Sequence, residues 1–566
     1  MLAISSGFAF AERYQAIDAT LGGDATINGN YVQMKGGSLS FAVSAQSKGM
    51  HELVVRYMQD YDEKKEQNLV VNSNNVGNLV FPRTATWTDL KSVVSLNAGS
   101  NTVAITNNWG WVDIQYIEIN PHENTPFNLD KNLVNPNANE AAKKVFAFMQ
   151  EKFQKKVISG VMTEAVLSGN NAVTLNNQEE VSFIRQSSSN KTPALVGFDF
   201  MHATGKEMEE AGTTGNWFKN YTNATVSLAT ELFQRGGIPA YCWHWRDPLK
   251  NDKGFYSPSA DGSDKTNFDL TTACTNSSCT AWNTNSTAYN KMVEDIDIVA
   301  DYLKELQNSG VAVLWRPVHE ASGGWFWWGG KGAAAYKLLY KLIFERLTTH
   351  HGLNNLIWVW DSQGGGDPDW YPGDNYVDII GRDFYYYPPE KNHASLIGEF
   401  EALKNAFGTA KMIALTENGS IPYPENLIDD GAGWSYFMPW YREWTNSSTH
   451  NVASDWNNIM NHEYVITLED MPGWGNYTPP SSSSGASSSS SSETTSSSSG
   501  TTASSSSSEE STPILTQTSI VRALRATPQQ YYNLKGEPLG TQKPTVPGIY
   551  LVKNNRTGQV QKIAVR

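Results

Sequence analysis

From Asn137 to Pro480, short apolar runs alternate with amphipathic stretches at helical spacing, and no other feature limits the possible folds so tightly. The apolar runs are KVISGVM, PALVGFDF, GIPAYCWHW, VAVLWRPVHE, LIWVWDSQ, VDIIGRDFY, KMIALTENG and WSYFMPWY. Between them lie helical patterns such as YNKMVEDIDIVADYLKELQNSG and AAYKLLYKLIFERLTTHHG. These end at Gly310 and Gly352, as helix C-termini often do. Eight strand candidates separated by helices over roughly 340 residues predict a (β/α)8 TIM barrel. A doubly wound open sheet is the competing arrangement, but no Gly-rich phosphate loop follows the first strand.

The 566 residues exceed what one compact core organises, so further domains are expected. Residues 12–120 carry short alternating runs (HELVVRYM, NLVVNS, TVAITNN, WVDIQYIEI) separated by Gly, Asn and Ser turns, the pattern of a β-sandwich. Residues 121–136, rich in Asn and Pro, read as a linker to the barrel at 137–480. Residues 481–511 are nearly all Ser, cannot bury enough apolar surface to offset chain entropy, and are expected to form a disordered tether. Residues 512–566 read as a small β domain of a few short strands with turns.

Net charge is −14, which argues against nucleic acid as a partner. The last segment runs against this balance, with eight Lys or Arg opposed only by Glu537. Three cysteines exclude a disulfide scaffold; Cys274 and Cys279 flank a short polar loop and can pair in an oxidising compartment, whereas Cys242 in its apolar run reads as a buried thiol. No cluster has zinc-ligand spacing. No stretch of about 18 apolar residues exists, so no membrane span is expected. The start, MLAISSGFAFAE, resembles the end of a signal peptide, which makes residues 1–11 a remnant and the chain an exported one.

Reactive groups of a (β/α)8 barrel gather at the C-terminal ends of its strands. Those positions hold His244 and Asp247 after the third strand, and Arg316, His319 and Glu320 after the fourth. Asp361 follows the fifth, Asp383 and Tyr385 the sixth and Glu417 the seventh, while Trp440 lies in the eighth. Two glutamates on non-adjacent strands can face each other across the mouth, as retaining glycoside hydrolysis requires. Any one of these carboxylates alone is more readily a solvated loop residue or an ion-pair partner. Likewise His244 alone reads as a structural histidine, and Trp327 and Trp328 as packing under a loop. There are 19 Trp, 25 Tyr and 21 Phe in all; those in loops offer flat apolar faces suited to sugar rings, and the rest fill cores.

The run WRPVHEASGGWFWWG resembles the acid/base strand of glycoside hydrolase family 26, whose members are mainly β-mannanases with a (β/α)8 fold. Related clan members place Asn before the acid/base glutamate; this family places His, as His319 stands here. The likeness continues through GFDF, WHWRDP, HGLNNLIWVWD, WYPGDNYVDIIGRDFY and ALTENG. It implies Glu320 as proton donor and Glu417 as nucleophile, with Tyr385 hydrogen-bonding the nucleophile. It also implies that His244, Arg316, His319, Trp325, Asp383 and Trp440 line the sugar subsites, and that no metal or cofactor takes part. The implied activity is that of a monomeric endo-β-1,4-mannanase acting on plant cell-wall mannan, glucomannan or galactomannan. Action on mixed-linkage glucan or xylan, release of mannobiose from chain ends, and a non-catalytic polysaccharide-binding scaffold are the alternatives.

The sandwich is similar to carbohydrate-binding module family 35 in RYQAIDA, HELVVRYM, LVFPRTATW and LNAGSNTVAITNNWGWVDIQYIEI. That resemblance points to Asn108 and Trp109 as sugar-contacting residues; the other reading has Trp109 or Trp111 capping the sandwich core. The family's structural calcium is held by two glutamates and an aspartate, whereas the matching positions here are Gln15, Ile17 and Gln115, with Asp18 and Asp113 nearby. The basic tail resembles C-terminal sorting domains of bacterial type IX secretion, through YYNLKGEPLG and GIYLVKNN. This implies secretion machinery or a cell surface as partner and a secreted or cell-surface location, with a basic adhesion module as the alternative.

Overall fold

The computed structural model describes residues 12–61, 63–212, 214–260 and 263–479, together with four short strands between Gln529 and Val565. Residues 1–11 and 481–511, read above as signal remnant and tether, lie outside the described residues.

Two antiparallel sheets form the N-terminal sandwich. One is built on Gly49–Gln59, Thr84–Leu96 and Asp113–Pro121, the other on Ser38–Ala45, Lys65–Val71, Asn74–Phe81 and Gly99–Trp109. Side chains alternate in and out along a strand, so every second residue enters the shared core. Leu39, Phe41, Val43 and Ala45 are buried from one strand, and Val103 and Ile105 from its neighbour, with Val103 opposite Phe41 and Ile105 opposite Leu39. Neither tryptophan of the last turn caps this core. Trp109 and Trp111 are 49% and 50% exposed.

The central segment is a parallel barrel, nearly closed, in the predicted strand order. Its strands are β1 (Val157–Met162), β2 (Leu195–Asp199), β3 (Ile238–Trp243), β4 (Val313–Pro317), β5 (Leu356–Ser362), β6 (Ile379–Phe384), β7 (Met412–Asn418) and β8 (Tyr436–Phe437). Each strand pairs in parallel with its successor from β1 to β7, and β1 pairs with β8. The ring closes between β7 and β8 through an Asn418–Pro439 bridge and the Ser435 N to Ile413 O bond of 2.8 Å. This rules out the open doubly wound sheet. Strands buried on both faces read as continuous apolar runs, which is why all eight were visible in the sequence. The last run is a correction in extent: regular pairing stops at Phe437, so Trp440 lies beyond the strand and not in it.

The connecting segment lies along the barrel, with Asn128 N donating to Thr409 O and Asp130 N to Ala410 O. The sandwich docks against the helix Ile397–Phe407 and the loop after β5. Val93 of the sandwich belongs to the barrel's own hydrophobic cluster. Asn78 N donates to Glu399 Oε1 at 3.2 Å, and Lys64 pairs with Asp367 at 3.3 Å. In a run of three glycines, the first two make the close approach possible and the third packs on the barrel's own helix. A Cβ on Gly364 or Gly365 would stand 3.1 or 3.3 Å from Val80 of the sandwich, and one on Gly366 only 2.6 Å from Ala406. All three also have positive φ, a conformation that residues with a Cβ adopt at a cost.

Cys274 and Cys279 are joined, and Cys242 is a buried thiol. Among the described residues no helix is long and apolar enough to cross a membrane. Described by itself, the C-terminal part is an antiparallel sheet in the order Pro538–Gly540, Gln529–Tyr532, Gly548–Asn554, Val560–Val565.

Candidate active site

The barrel mouth is organised around one buried cation. Arg316, at the end of β4, is 4% exposed and reaches three carboxylates. It bonds Asp383 Oδ2 at 2.6 Å, lies 3.6 Å from Asp361 Oδ1, and donates a short hydrogen bond to Glu417 Oε1. A guanidinium in such a place must be paired, because removing its hydration costs several kcal/mol (roughly) unless carboxylates replace the water. Thr416 Oγ donates to Asp383 Oδ1 at 2.6 Å, and Tyr385 OH donates to Glu417 Oε2 at 2.9 Å.

A bulge aims Glu417. The β6–β7 register runs Arg382 opposite Leu415 and then Asp383 opposite Glu417, leaving Thr416 as the extra residue. Such a bulge re-aims the side chains that follow it. Thr416 settles over Gly381, where a Cβ would stand 2.4 Å from its hydroxyl.

Glu320 arrives by a different device. The chain after β4 turns sharply, with Val318 at φ 47° and Glu320 at φ 54°. Left-handed backbone at a β-branched residue is strained and persists where surrounding contacts enforce it. Here Glu320 N donates to Asp361 Oδ2 at 2.9 Å, and Trp325 Nε1 donates to Glu320 Oε2 at 2.9 Å. One carboxylate oxygen from each of Glu320, Asp383 and Glu417 lies within 4.8 Å of the other two. That approach suits a retaining pair, whose carboxyl groups stand about 5–5.5 Å apart.

The two glutamates differ in what surrounds them. Burial, the charge of Glu417 and the charge of Asp361 together push the Glu320 carboxyl up to about 8. Burial also raises Glu417, but Arg316, His244 and the Arg316 and Tyr385 hydrogen bonds oppose it. Glu320 is thus the carboxyl whose surroundings favour the protonated form, while the contacts of Arg316 and Tyr385 favour the charged form of Glu417.

His244, after β3, sits with Nδ1 2.5 Å from Asp199 Oδ2 and Nε2 3.2 Å from His319 Nε2. An ionised carboxylate can only accept, so His244 Nδ1 carries the proton. Burial, His244 and Arg316 hold His319 well below the ordinary histidine range, so it is neutral. Trp440 lies 5.7 Å from the His244 ring. The structure thus brings Arg316, His319, Glu320, Trp325, Asp383, Tyr385, Glu417, His244 and Trp440 to one mouth. It leaves out Asp247, whose carboxylate is spent on the backbone N–H groups of Leu249, Asn251 and Asp252. Trp327 and Trp328 are buried, bonding the carbonyls of Trp245 and His319, and so pack beneath the loop.

Sequence reasoning missed Asp199, which orients His244, although a lone aspartate closing β2 was a readable signal. It also missed the sandwich's reach. A groove of about 580 Å³ runs from Glu320, Trp325 and Tyr385 to Asn108 and Trp109 of the sandwich.

Residues 134–470 match the model of glycosyl hydrolase family 26. The chain belongs to that family. Residues 13–122 match carbohydrate binding module (family 35), which agrees with the sandwich described above. A mannan endo-1,4-beta-mannosidase of Thermothelomyces thermophilus is 32% identical to this family 26 chain, over 77% of the chain and 83% of the relative. A crystal structure of the Podospora anserina GH26-CBM35 β-(1,4)-mannanase is 33% identical, with a TM-score of 0.54, and covers 82% of this chain and 99% of its own. The β-mannanase from a symbiotic protist of the termite Reticulitermes speratus, complexed with gluco-manno-oligosaccharide, is 39% identical with a TM-score of 0.55. It covers 62% of this chain and 100% of its own.

Proposed function

We propose that this chain is a retaining endo-β-1,4-mannanase with Glu417 as nucleophile and Glu320 as acid/base. The observation that carries the reading is the close approach of two carboxyl groups in unlike surroundings, Glu417 held by Arg316 and Tyr385 and Glu320 by Trp325. Glu417 attacks the anomeric carbon while Glu320 gives its proton to the departing glycosidic oxygen. The bond from C1 to that oxygen breaks as the bond to Glu417 forms. Glu320, now ionised, takes a proton from water, whose oxygen displaces Glu417 and restores the β configuration. Tyr385 and Arg316 orient Glu417 and receive it again as a leaving carboxylate. His244, His319, Asp383, Trp325 and Trp440 line the sugar subsites. Mannan as substrate, in its plain, glucose-containing or galactose-branched forms, is favoured by the curated relatives that bear the name mannan endo-1,4-beta-mannosidase.

The enzyme is further proposed to act outside a bacterial cell as a monomer, with the basic residues 512–566 directing sorting or attachment. The disulfide between Cys274 and Cys279 supports an oxidising location. A product profile on mannan, glucomannan, lichenan and xylan tests the activity. Internal cuts in the mannans alone are expected; silence on all four overturns it.

A further inference from the structure

We propose that the sandwich supplies sugar-binding groups to the leaving-group side of the catalytic cleft, so that one polysaccharide chain is held by both domains at once. The inference rests on the mannanase reading and adds to it a second wall of the substrate site. One groove carries Glu320, Tyr385 and Tyr387 of the barrel together with Lys64, Glu66 and Trp109 of the sandwich. Its volume of about 580 Å³ falls within the range of sites that enclose a small ligand.

The groove has a direction. It includes Glu320, the proton donor, and the loops after β4, β5 and β6, whereas His244, after β3, and Trp440, beyond β8, do not line it. Glu320 protonates the oxygen of the departing sugar, so the space running outward from it receives the leaving group. Two aromatic rings are exposed along that path. Tyr387 of the barrel is 66% exposed and Trp109 of the sandwich 49%. Flat rings with one free face suit the apolar faces of sugars, and Lys64, Glu66 and Asn108 beside them suit the hydroxyl rims.

This wall is built rather than incidental. Lys65 Nζ stands 4.2 Å over the Trp109 ring, covering one face. Gln67 fixes the loop beneath it, accepting from Asn108 N at 3.0 Å and donating to Gly110 O at 2.8 Å. Asn108 Nδ2 donates to Asn68 Oδ1 at 3.2 Å. Lys64 is anchored to Asp367, which also accepts from Ser322 Oγ at 2.6 Å and Gln363 N at 2.8 Å in the barrel's own loops. The sandwich loop and the catalytic loops are thereby held as one surface.

The test uses Trp109→Ala in the full chain, with Trp111→Ala as a control that is equally exposed but lines no part of the groove. Rates are measured on β-1,4-manno-oligosaccharides from mannotriose upward with a reducing-end label. The kcat/KM defect of Trp109→Ala is expected to grow with length, reaching roughly three- to tenfold on mannohexaose. The labelled cleavage position should shift toward shorter leaving groups, with Trp111→Ala unchanged. A defect equal at all lengths, or one confined to adsorption on insoluble mannan, overturns the proposal. In the Glu320→Gln background, Trp109→Ala should also raise the dissociation constant for mannohexaose by a similar factor; an unchanged constant refutes the shared wall. Because that measurement needs no turnover, it separates failure of the shared wall from failure of the catalytic reading.

Discussion

The two walls of the groove are built on opposite terms. The barrel wall backs onto a buried, charged network in which Asp361, Asp383 and Glu417 share the Arg316 guanidinium, with Glu320 partly buried at its edge. The sandwich wall is more open, with Trp109 49% exposed and the Lys64 and Glu66 side chains only partly covered. The contrast teaches where chemistry and grip are divided. In the dry wall each charge sets the protonation of its neighbours, so changes there propagate. In the more open wall solvent screens Lys64 in part, so the loss of its pairing should be felt less.

The largest effect should fall on the dry wall. Glu417→Ala is expected to lower kcat by at least about four orders of magnitude. Added azide, small enough to enter the vacated space, should restore turnover as an α-glycosyl azide. Full activity in Glu417→Ala without azide would erase the distinction between the walls along with the mechanism.

A middle-sized effect sharpens the contrast through pH. Glu320 must be protonated to act as acid, so activity is present below its pKa of about 8 and lost as pH rises through it. Burial is the first cause of that elevation, and the charge of Asp361 adds to it. Asp361→Asn keeps an acceptor for Glu320 N while removing the charge, so the alkaline limb of kcat should move to lower pH. A limb that stays in place would mean the carboxylates are not coupled.

The smallest effect belongs to the more open wall. The Lys64 side chain is 34% exposed, and Lys64→Ala should cost at most about 1 kcal/mol in a denaturant titration despite breaking the Asp367 pair. A loss several times larger would show the sandwich wall to be as tightly coupled as the barrel's.

The two walls were also unequally legible in the sequence. All eight barrel strands appeared as apolar runs, because burial on both faces leaves no polar positions to interrupt them. Strand ends could then be read off by position, which drew attention to Glu320 and Glu417. Other features depend on comparisons between distant segments. The Thr416 bulge exists only as a mismatch between β6 and β7, and no single strand displays it. Asp199 is meaningful only beside His244, which lies 45 residues along the chain. The groove's second wall was legible only in Asn108 and Trp109, which the family resemblance singled out, and not in the barrel it faces. Lys64 and Glu66 have the texture of an ordinary solvated strand edge, and only their placement opposite a barrel loop some 300 residues away gives them a role.

Gly364 and Gly365 make the barrel an acceptor for this particular neighbour, with Val80 seated where side chains would otherwise stand. Chimeras that graft the sandwich onto a barrel with bulkier residues in that loop would leave a wedge at the joint. The partnership is therefore heritable as a matched pair, and recombination between such enzymes must carry the loop along with the domain it receives.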